Sequence, residues 1–70
     1  MSNYAAAVAA VASQPLAYAS GKRAGEHVKV ADIAGLLAGN EDTITMFIVA
    51  GQPFNVAFYI GFAETLQTRA

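Results

Sequence analysis

The chain has 70 residues, a net charge of −1, no cysteine and a single histidine, His27. That excludes a disulfide scaffold, a thiolate zinc site and a histidine-rich metal centre, and it leaves no electrostatic footprint for nucleic acid phosphates or an anionic bilayer. The length allows one domain, residues 1–70, and a chain this short buries only about 60% of its unfolded surface when it folds alone.

Composition adds a second constraint. Apolar residues make up 56% of the chain and charged residues 13%, about half the charged share of an average soluble domain. Too few charges remain to coat a small monomer. Small scaffolds that lack a disulfide or a metal usually take a partner as their staple. The expected partner is therefore protein, either further copies of this chain or a larger assembly.

Ser2 to Ser13 is alanine-rich, with Tyr4, Val8 and Val11 spaced four and three apart. That spacing predicts a helix with one narrow apolar stripe. Ser2 or Asn3 can cap its start, and Gln14-Pro15 stops it by Ser13. No Lys or Arg precedes the apolar stretch, so this segment reads as part of the mature fold and not as a signal peptide.

Leu16-Ala17-Tyr18 leads into Ser20 to His27, where Gly21, Gly25 and the pair Lys22-Arg23 predict a solvated turn. A phosphate-cradling GxxxxGK[ST] loop is absent from this only basic cluster. His27 to Val30 alternates polar and apolar, as a short half-buried strand does. Asp32 then opens a short helix over Ile33 to Ala38, with Gly39-Asn40 as its stop and Glu41 and Asp42 as exposed turn residues.

From Ile44 to Phe62 there is no charge at all. A membrane helix has this length, but Gln52, Pro53 and Asn55 would lie at the bilayer midplane, which argues against a span. A helix starting at Pro53 suits proline's preference for a first turn. The alternation of Phe54, Val56, Phe58, Ile60 and Phe62, matched by Ile44, Met46 and Ile48, instead favours two strands. A five-residue loop, Val49 to Pro53, keeps the large apolar groups of both strands on one face. The expected fold is thus α+β: an N-terminal alanine-rich helix, a short strand, a short helix and a C-terminal antiparallel β-hairpin.

Val30 to Ile48 also resembles a helix-turn-helix segment. Asp32-Ile33-Ala34 is similar to the opening of its first helix, Ala38-Gly39-Asn40 to its turn, and Thr43-Ile44 to the start of its recognition helix. With the run from Phe54 as a wing and the alanine-rich segment as helix one, the resemblance implies a winged-helix binding module with helix over Thr43 to Ala50. Such a recognition helix would present Glu41, Asp42, Thr45 and Met46, without Lys or Arg. That chemistry suits a protein partner better than DNA.

No GxSxG elbow accompanies any serine, and no acidic cluster has the spacing of a calcium loop. No catalytic, cofactor or metal residue is assigned. The expected function is a non-enzymatic structural subunit that self-associates or binds a larger protein lattice, such as a virion decoration or cement protein. Tyr4, Val8, Val11, Met46, Phe47 and Tyr59 are its candidate contacts. In this reading one face of the hairpin packs on the helix and the other, carrying Phe47 and Tyr59, is left for a neighbour.

Overall fold

A computed structural model describes residues 2–70, and among them there are four helices and no strand. They are α1 (Asn3–Ser13), α2 (Pro15–Glu26), α3 (Val30–Val49) and α4 (Pro53–Arg69). α1 starts and stops as its sequence predicts. The Ser2 hydroxyl accepts the Ala5 N–H at 3.1 Å, and Gln14 leaves the helix at φ −128° and ψ 60°. Pro15 then occupies the first position of α2 and Pro53 that of α4, where a missing N–H costs nothing.

α4 is the element on which the other three pack. α2 approaches it through small residues four apart on both helices: Ala17, Gly21 and Gly25 face α4, and Ala57 and Gly61 face α2, all of them buried. A Cβ added at Gly21 would lie 1.9 Å from the Phe58 carbonyl oxygen, and one at Gly61 would lie 2.2 Å from that of Tyr18. The two backbones are therefore in direct contact. Gly21 meets Phe58 while Gly25 meets Phe62 and Thr65, so the helices run in the same direction.

α3 turns back on α4 through Ala50–Gln52, with Gly51 at φ 68°. Its inward stripe is Ile33, Leu37, Asn40, Ile44 and Phe47, spaced four and three apart as one helical face requires. α1 lies in the groove between α3 and α4. Its Ala10 joins Ala17, Val56 and Ala57 in the buried core, with Val11, Phe47 and Ile48 packed around them.

The α+β expectation is overturned. The predicted turn over Ser20–His27 is mostly helix α2, the strand His27–Val30 is a connection leading into α3, and the short helix Ile33–Ala38 continues through Gly39-Asn40 to Val49. The C-terminal hairpin is the α3–α4 pair. Its period of two was coincidental: Phe54, Phe58 and Phe62 are also four apart, and Phe58 stacks on Phe62 at 6.4 Å along one helical ridge. A helix packed on several sides has no solvated face, so its sequence shows no amphipathic period. The winged-helix expectation fails too. Helix over Thr43–Val49 agrees with it, but α3 has no turn at Ala38–Asn40 and the wing is α4.

With the hairpin goes the argument that one sheet face is left over for a neighbour. Any case for association must rest on what the four helices leave exposed.

Candidate interaction surface

The six candidate contacts separate into two groups. Tyr4 is 80% exposed, and Val8 and Met46 are also exposed. Val11 is half-buried against the core. Phe47 and Tyr59 are half-buried and stack on each other at 5.4 Å, with Tyr59 edge-on to Phe58 and Phe62. These two aromatics fasten α3 to α4.

Other large apolar side chains, absent from the sequence-based set, are as exposed as Tyr4 or nearly so. Leu16 is 81% exposed, Val49 82% and Val30 77%, and Phe54 and Leu36 are exposed as well. Leu16 and Phe54 each follow a helix-opening proline, and Val49 ends α3. Positions at a helix end lie outside the packed stretch of the helix, which is why these side chains escape burial. The signal for them was local: each is a large apolar residue beside a break that proline or glycine enforces.

Polar groups hold the packing in register. The Tyr18 hydroxyl of α2 donates to the Glu64 carboxylate of α4, 2.7 and 2.9 Å from its two oxygens. The Arg69 guanidinium donates to the Gly25 carbonyl, which tethers the end of α4 to the end of α2. Lys22 places its ammonium 4.9 Å from the centre of the Tyr18 ring. The Tyr18 phenol holds the Lys22 pKa above its ordinary value, with Glu64 adding to the effect.

An open cleft of about 470 Å³ lies where α1 bridges α3 and α4. Ile44 and Ile60 form apolar wall, while Asn40, Glu41, Glu64 and Gln67 are polar. Asn40 is 8% exposed, the buried polar residue of this cleft. His27 is exposed at the end of α2, and among the described residues no three acidic or histidine groups converge as metal ligands would. Among the described residues, no helix is long and apolar enough to cross a membrane.

The fold is thus a four-helix domain built around one central helix, with apolar side chains left at its surface. No family model matches the chain, and neither a curated protein nor a solved structure matches it.

Proposed function

We propose that this chain is a non-enzymatic structural subunit that assembles with copies of itself or docks on a larger protein lattice, a virion shell being one such lattice. One observation carries the reading: Tyr4, Leu16 and Val49 are each at least 80% exposed in a chain with only four basic and five acidic residues. Fully burying a Val, Leu or Phe side chain is worth roughly 1.5–3 kcal/mol. Covering several of them offsets much of the cost of association.

Sedimentation velocity on purified protein at micromolar concentration tests this. The expected result is a particle larger than the 7.2 kDa chain. A folded, stable monomer overturns self-association.

A further inference from the structure

Every charged residue lies in one of two segments, 22–42 and 64–69, so residues 2–21 and 43–63 carry none. The fold gathers part of the uncharged segments at one end, although Asn3 and Tyr4 line one cleft with Glu41 and Glu64. Uncharged Ala10, Ala17, Val56 and Ala57 meet in one core cluster, with Phe47 and Ile48 against it. At the other end Arg69 bonds Gly25, and Lys22, Glu26 and Arg69 share one surface with Thr65 and Thr68. The molecule, 35 Å along its longest axis, therefore has a charged end and an uncharged one.

The uncharged end carries both projections and a recess. Leu16, Val49 and Phe54 stand out from it. Beside them is a groove of about 330 Å³ between α1 and the α3–α4 turn, lined by Ala6, Ala9, Ala10, Ile48, Pro53 and Val56. Val49 and Phe54 directly flank groove residues Ile48 and Pro53 in the chain.

We propose that this uncharged end is a two-fold contact face for a second copy of the chain, with Val49 and Phe54 of each copy seated against the groove of the other. The inference rests on the self-association reading and gives it a surface. A two-fold face brings together two copies of the same net charge, so a charged face repels itself unless its signs are paired across the axis. Here there is none to repel, while the charged ends stay in water. A stable interface takes about 800 Å² per partner, under a fifth of the 4418 Å² that one copy exposes.

A lipid surface fits this end less well. α2 and α4 both begin there without a side-chain cap, so their first free N–H groups need water or a polar partner. Exposed Ser13 and Gln52 lie at the groove and can hydrogen-bond across a protein interface. No Lys or Arg flanks the end to hold anionic headgroups.

Sedimentation velocity on the full chain, on Val49→Glu, Phe54→Glu and Leu16→Glu, and on Val30→Glu at the charged end tests the proposal, with circular dichroism to confirm helix content. The wild type and Val30→Glu are expected to sediment as dimers. Val49→Glu and Phe54→Glu are expected to raise the dissociation constant at least about tenfold with helix content unchanged. Leu16→Glu, at a side chain 81% exposed, supplies the same test should either of the others unfold. An oligomer indifferent to all three variants removes this face and leaves self-association standing. A monomeric wild type removes both. Flotation of the wild type with neutral phosphatidylcholine vesicles, lost in Val49→Glu, assigns the end to lipid and overturns the proposal.

Discussion

Gly21 and Gly61 sit within helices, where glycine costs about 1 kcal/mol relative to alanine. They remain compatible with the fold because a methyl group there would strike a carbonyl oxygen of the facing helix. At Gly35 and Gly39, also helical, a methyl group would meet nothing within 4 Å. The same substitution should therefore act with opposite signs. Gly21→Ala and Gly61→Ala are expected to lower stability by about 1–3 kcal/mol through overpacking, while Gly35→Ala and Gly39→Ala raise it by up to about 1 kcal/mol. Urea titration of the four variants measures this. Tyr18→Phe removes the bond to Glu64 and should cost about 1.5 kcal/mol, as for other bonds to a charged group. If the pair is what matters, Tyr18→Phe in a Glu64→Gln background should cost distinctly less.

At the scale of elements, α1 is the lightly held one. Ala10 is its sole fully buried residue, and a helix of 11 residues is marginal in water without its contacts. Alanine lets α1 lie close to the α3–α4 groove but contributes little area there. Amide hydrogen exchange should be faster in α1 than in α4. Ser2→Ala, by removing the cap, is expected to cost about 1 kcal/mol and to speed α1 exchange roughly fivefold while α4 is unchanged. The α3–α4 turn depends on Gly51, whose φ of 68° is a left-handed conformation. Gly51→Ala should lower stability by about 1 kcal/mol, read as a lower urea midpoint.

The whole molecule is as compact as a chain of its length should be. Its radius of gyration is 11.4 Å, against about 11 Å expected for 70 residues. Collapse is therefore not what a partner would supply; under the proposed self-association, a second copy would cover apolar groups that a compact body of this composition leaves outside. Because the proposed contact end has no charge, its dimer should be insensitive to ionic strength. Raising salt from about 0.05 to 0.5 M, where the Debye length shrinks several-fold, is expected to leave the sedimentation profile unchanged. A dimer that dissociates over that range would place charged residues in the contact.

Composition, the scarcity and segregation of charge, and the limits of α1 could be read from the residues alone, because each is set by local chemistry: Ser2 as a cap, Gln14-Pro15 as a stop, no lysine or aspartate over long stretches. Pro53 suited a helix start by the same local chemistry, but the alternation after it was read as strand and Pro53 as part of the Val49–Pro53 loop. Tyr4, Val8 and Met46 were named from the sequence and are exposed, whereas Leu16, Val49 and Phe54 carried a local signal, a neighbouring proline or glycine break, whose meaning depended on where the helix ends fall. The tertiary structure alone decided that Phe54 to Phe62 coils, that Gly21 and Gly25 belong inside a helix, and that α3 continues through Gly39. Local propensity ranks glycine as a breaker and alternating aromatics as strand. In α2 and in Phe54–Phe62 those preferences, each near 1 kcal/mol, yielded to the close contact of α2 with α4, and in α3 to its packing along α4, gains that exist only when distant segments meet.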